Sequence, residues 1–292
     1  MSLTIENNIL MKNGKPFFYL ADTCWSAFTN IKDNDWDYYL DYRKSQGFNT
    51  LQINILPQWD ASATDLCYEP FEVIDGKYNY KKLNLSYFEH ADKMCARAKE
   101  KGFELALVIM WCNFVPDTWA SQFYSKGIMP IDCIDNYINI IHETFTKYEP
   151  LYIISGDTDF NTEQCIEYYV KCAKQIKELA PNCLYTTHIK GRYTYIPDNL
   201  YSYLDLCFYQ SGHNAQNLGM PYLLAEEMAD KYKGKPVINS EPCYEDMGYS
   251  RQMYGRWSKE DIIRAAWMSL LSGASAGITY GAAGIYSWHT TN

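Results

Sequence analysis

The sequence lacks the short motifs that announce common chemistries. It has no CxxC pair and no Walker-type phosphate loop. It has no HExxH either, since His142-Glu143 is not followed by a second histidine at the required spacing. Positive charge is also scarce: 26 Lys and Arg stand against 35 Asp and Glu, for a net charge of -9. That balance excludes a nucleic-acid footprint and gives no attraction to anionic membranes. No run approaches the roughly 18 apolar residues of a membrane helix. The opening "MSLTIENNILMKNGKP" has no apolar signal-peptide core, so a cytoplasmic location is expected. There is no internal repeat, low-complexity stretch or linker, which predicts a single domain over residues 1–292. The ten cysteines are scattered, and Cys95, Cys165, Cys172, Cys183 and Cys207 fall inside predicted elements. They read as buried thiols rather than a disulfide framework. His188 and His213 with an Asp could form a metal site, but no close histidine pair supports one. No metal and no cofactor are expected.

What is present is an alternation. Hydrophobic residues make up 47% of the chain and aromatic residues 16%, with 27 Tyr. This suits either an aromatic core or a surface that stacks rings and sugars. Asn13-Gly14 between two apolar runs predicts an N-terminal hairpin. Eight apolar runs then read as strands: 17–22, 48–56, 103–111, 151–157, 183–189, 206–213, 235–241 and 276–281. Helical patterns over 35–46, 85–101, 131–148, 162–179, 198–203, 221–232 and 258–272 separate them, and an aromatic loop runs through Trp59, Tyr68 and Tyr78. The pattern predicts an α/β fold, a (β/α)8 TIM barrel. An open doubly wound sheet would place a glycine-rich turn after its first strand, where "ADTCWSAF" has no glycine. Nothing in the pattern supplies an eighth outer helix.

In such a barrel the active site gathers at the C-terminal ends of the strands. Those ends carry Asp22 and Trp25, Asn54, Trp111 and Asn113, Asp157 and Asp159, His188, Gln210 and His213, Asn239 and Glu241, and Tyr280, with Trp288 just beyond. Glu241 ends an apolar strand directly before Pro242, where it has no capping role. Asp157 and Asp159 precede the helix opened by Thr162, so either could instead serve that helix start. Two carboxylates flanking one bond suit glycoside hydrolysis: one donates a proton, the other attacks carbon or activates water. Tryptophan and tyrosine offer faces for sugar C–H groups; Asn, Gln and His can bond sugar hydroxyls. The expected partner is an oligosaccharide or polysaccharide.

The strings "FYLADTCW", "YIISGDTDF", "DLCFYQSGH", "KPVINSEPCYE" and "AAWMSLLSGASAGITYGAAGIYSW" resemble the apiosidase-like family of (β/α)8 glycoside hydrolases, in the same order and over nearly the whole chain. The resemblance implies a catalytic acid/base at Asp157, in a Gly-Asp motif, and a nucleophile at Glu241. The wider clan usually has Asn-Glu on the fourth strand, from which Gly156-Asp157 departs. It further implies a retaining mechanism and a pectic side-chain substrate. Two other readings stay open: an endo-glucanase-like hydrolase of the same clan, and a non-catalytic carbohydrate-binding barrel.

Overall fold

The computed structural model describes residues 3–59 and 68–288. Eight strands form one sheet: β1 (Tyr19–Thr23), β2 (Thr50–Asn54), β3 (Glu104–Trp111), β4 (Leu151–Gly156), β5 (Leu184–Thr186), β6 (Cys207–Gln210), β7 (Val237–Glu241) and β8 (Gly277–Tyr280). Their spatial order is β5-β4-β3-β2-β1-β8-β7-β6, and every neighbouring pair is parallel. The remaining seam, between β5 and β6, is bridged by the chain at Asp205. Its N–H donates to the Tyr185 carbonyl at 2.8 Å, and its carboxylate accepts the Tyr185 N–H at 2.9 Å. The barrel is nearly closed.

Among the described residues one outer helix follows each of the first seven strands: α1 (Asp33–Ser45), α2 (Leu85–Glu100), α3 (Ile134–Phe145), α4 (Glu163–Leu179), α5 (Asp198–Tyr201), α6 (Met220–Lys231) and α7 (Lys259–Leu271), with one further short α-helix, Ala27–Asn30, between β1 and α1. Side-chain chemistry fixes several of their starts. Thr162 accepts the Cys165 N–H at the head of α4, and Ser258 with Asp261 forms a capping box on α7. Among the described residues β8 is followed by turns through residue 288 and by no helix.

The N-terminal hairpin is a three-stranded meander, Leu3–Glu6, Ile9–Lys12 and Lys15–Pro16. Both of its turns have positive φ at two residues, Asn7-Asn8 and Asn13-Gly14, as type I′ hairpins require. Lys12 clips it to Glu104 at the start of β3, an ion pair of 2.5 Å that Lys99 joins at 2.7 Å. The aromatic loop contains a second hairpin, Phe71–Ile74 with Lys77–Leu83, turned at Asp75-Gly76. The nine cysteines of the described residues are buried and unbridged; Cys67 lies outside them. Among the described residues no helix is long and apolar enough to cross a membrane.

Candidate active site

The end of β7 carries a local irregularity. Tyr209 pairs with Asn239, but Gln210 pairs with Glu241, so Ser240 is an extra residue in β7. Such a bulge re-aims the side chains around it. Alternation would put Ser240 and Glu241 on opposite faces; here both reach His188. The Ser240 hydroxyl lies 2.8 Å from His188 Nδ1, and Glu241 Oε2 lies 3.2 Å from His188 Nε2. Ser240 Oγ donates to the Tyr209 carbonyl at 3.1 Å, which leaves Nδ1 as the donor to Oγ.

Glu241 is only 7% exposed. Its Oε1 accepts Gln210 Nε2 at 2.7 Å and His213 Nε2 at 2.9 Å. Burial pushes its carboxyl up, but the hydrogen bonds and charge of His188 and His213 outweigh that and hold it well below the ordinary carboxylate range. Glu241 is therefore a buried carboxylate that is ionised at neutral pH.

Rings wall this carboxylate. Trp25, Trp111 and His188 are mutually in contact, with centroids 5.2–5.5 Å apart. Trp111 lies so close over Gly156 that a Cβ there would meet its ring at 2.1 Å, so only glycine fits. Contacts therefore run from Glu241 through His188 and Trp111 to Gly156, which leads directly into Asp157. Asp157 directly follows β4, with a left-handed φ of 50°, and is half-buried. Trp119 Nε1 donates to its backbone carbonyl at 2.8 Å. Trp119 is packed edge-on against Trp59, which is 40% exposed.

Further strand-end residues gather here. Asn54, Asn113 and Trp111 Nε1 are buried without a protein partner. Asp159 is paired with Lys190 at 2.6 Å while its second oxygen has no partner. Residues that position alone did not single out are Ser240, Lys190, Trp119 and Tyr244. Tyr244 packs on His213 at 4.6 Å and accepts Trp25 Nε1 at 3.1 Å.

Four expected site residues belong elsewhere. Asp22 is fully buried on the outer face of β1, bonded to Arg43 and Tyr39 of α1 at 2.5 and 2.6 Å. Tyr280, its register partner on β8, lies beside Arg43 and donates to Glu245 at 2.6 Å. Trp288 packs edge-on against Tyr39, on the same outer flank. Asn239 bonds Ser211 and Ser269, tying β7 to α7. The segment 273–277 spells G-x-S-x-G, but it precedes β8 at the opposite end of the barrel and cannot act as a nucleophile turn. Among the described residues no group of three His, Cys, Asp or Glu could hold a metal ion. A roomy cleft of about 360 Å³ lies outside the barrel between α1 and α2, away from the strand ends.

Several solved structures share this fold. A family 5 glycoside hydrolase from Bacteroides vulgatus superposes with a TM-score of 0.83 at 24% identity, over 100% of this chain and 64% of that one. A second glycoside hydrolase gives 0.81 at 25% identity, over 100% and 67%. An endo-1,4-beta-mannanase from Rhizomucor miehei gives 0.62 at 14% identity, over 96% and 90%. The chain thus spans about two thirds of the length of the first two structures. No curated protein sequence matches it. The sequence model of the apiosidase-like catalytic domain matches residues 5–292, and the chain belongs to that family.

Proposed function

We propose that the chain is a retaining glycosidase acting on a plant cell-wall saccharide of the pectic side-chain type. Glu241 is the nucleophile and Asp157 the acid/base. Glu241 attacks the anomeric carbon as Asp157 gives its proton to the leaving oxygen. Asp157 then takes a proton from water, which releases the sugar from Glu241. The observation that carries this reading is the bulge at Ser240, which turns Glu241 into a cage of Gln210, His213 and His188. The cage keeps Glu241 ionised, as a nucleophile must be, and makes it a good leaving group from the glycosyl-enzyme. Trp59, which is exposed, and the half-buried Trp119 offer faces for sugar rings, while the buried Trp25 and Trp111 back the cage. Asn54, Asn113 and the Trp111 N–H hold unused hydrogen-bonding capacity for hydroxyls.

The test is hydrolysis of a panel of aryl glycosides and pectic oligosaccharides, with Glu241→Gln alongside and the anomer of the first product read by NMR. Loss of turnover in the variant and a product of retained configuration are expected. Inversion would replace the nucleophile role of Glu241 with that of a general base. Full activity of the variant would remove Glu241 from the mechanism.

A further inference from the structure

The chain has six arginines. Arg43, Arg97 and Arg264 are ion-paired, with Asp22, with Asp37 and Glu100, and with Asp261. Among the described residues Arg192, Arg251 and Arg256 have no carboxylate within ion-pair distance. In a protein of net charge -9 that is a selective omission, and all three lie in the loops that follow β5 and β7. Arg256 spends one donor on the Asp246 carbonyl. The other two are tied to the groups that cage Glu241. The Arg192 N–H donates to the backbone carbonyl of Gln210 at 2.9 Å, and its Nη2 to the carbonyl of Asn214 at 3.0 Å. The N–H of Ser250, the residue before Arg251, donates to the carbonyl of His213 at 3.0 Å.

Donors there are left over. Arg192 Nε and Asn214 Nδ2 are buried without a partner, and Asn214 is only 8% exposed. Arg192 and Arg251 both hold left-handed backbone, at φ of 71° and 63°, as does Gln252 at 59°. Strain of this kind in non-glycine residues gathers at functional loops. Burial and the positive charge of Arg251 both push the Arg192 guanidinium down, so the two cations repel each other unrelieved. Unrelieved repulsion beside orphan donors is the arrangement that an anion completes.

We propose that Arg192, Asn214 and Arg251 form a carboxylate-binding subsite beside Glu241, which takes the acid group of a uronic-acid residue in the bound saccharide. The inference deepens the glycosidase reading by naming the charge class of the substrate, and it is tested without turnover. The experiment is calorimetric titration of the Glu241→Gln protein with trigalacturonic acid and with its trimethyl ester. The two probes share every sugar contact and differ in charge. The free acid is expected to bind at least tenfold more tightly, and the gap to narrow with added salt. Arg251→Gln and Arg192→Gln are each expected to reduce the gap, and the double variant to abolish it. Arg251 is an exposed side chain whose replacement leaves the barrel intact, so a folding failure at Arg192 does not stop the test. Equal binding of acid and ester would overturn the subsite, as would a gap that survives in Arg251→Gln and in the double variant. Equally tight binding of inorganic sulfate, competing with the acid, would also overturn it by showing a general anion site. An acid preference lost in the arginine variants, in a protein that hydrolyses no glycoside, would keep the subsite and sink the hydrolase reading.

Discussion

Asp22 and Glu241 are both buried carboxylates near strand C-terminal ends, each with cationic or potentially cationic neighbours, and their pKa values are pushed in opposite directions. At Asp22, Arg43 and Tyr39 share one oxygen and the other has no partner. Burial dominates and pushes its carboxyl up despite Arg43. At Glu241 two donors serve Oε1, His188 Nε2 stands 3.2 Å from Oε2, and burial loses. The difference lies in the two histidines that flank the Glu241 carboxylate, whose hydrogen bonds and charge together outweigh its burial. Asp22 clamps α1 to β1, and its single ion pair has no access to a ligand. Glu241 is held ready among packed aromatic rings and unused donors.

Substitutions can break this contrast. Glu241→Gln keeps the shape of the cage and removes the reacting anion. Turnover should fall by roughly 10,000-fold or more while the far-ultraviolet circular dichroism spectrum stays that of the parent. Asp22→Ala should do the reverse. It strands a buried guanidinium, so urea unfolding should show a loss of about 3–5 kcal/mol, with turnover per folded molecule kept. Gly156→Ala tests the link between the two carboxylate-bearing strand ends. The Cβ collides with the Trp111 ring, and a loss of about 1–3 kcal/mol with a shifted tryptophan emission is expected.

Ser240→Ala leaves His188 Nδ1 without its acceptor. A fall in kcat of about tenfold with KM little changed is expected, beside a stability loss of about 1 kcal/mol. A purely structural serine would show the stability loss alone. The smallest effect is in acid titration. The depressed Glu241 pKa contributes stability above the ordinary glutamate value of about 4.3, and that stability is lost as pH falls toward the folded value. The raised Asp22 pKa has the opposite sign: the folded state binds its proton first, so this term favours folding as pH falls. Glu241→Gln and Asp22→Asn should therefore displace the acid-unfolding profile in opposite directions.

Much of this was legible in the sequence. Glycines and capping residues bounded the helices, and eight apolar runs of strand length fell where the eight strands lie. The hairpin at Phe71–Leu83 was hidden because its strands are half-exposed and tyrosine-rich, although Asp75-Gly76 signals the turn. Strand-end position is a coarser guide than face. Thr23 accepts Gln52 Nε2 inside the barrel, and alternation then puts Asp22 outside. The same parity applied to β8 would have placed Tyr280 with Asp22, its register partner. Parity applied to β7 gives Asn239 correctly and Glu241 wrongly, because no residue type marks the inserted Ser240. The cage around Glu241 comes from three strands distant in sequence, and only closure of the barrel brings them together.

The bulge also bears on how such a site is inherited. Ser240 is one codon, inserted between two residues that simple alternation would already place on opposite faces, Asn239 toward α7 and Glu241 toward the barrel. Its in-frame loss would leave Glu241 pointing inward and the hydrophobic register of Val237 and Ile238 untouched, and would remove the hydroxyl that meets His188 Nδ1. A lineage could thereby loosen the histidine of the cage in a single deletion, with every catalytic letter still present in the gene.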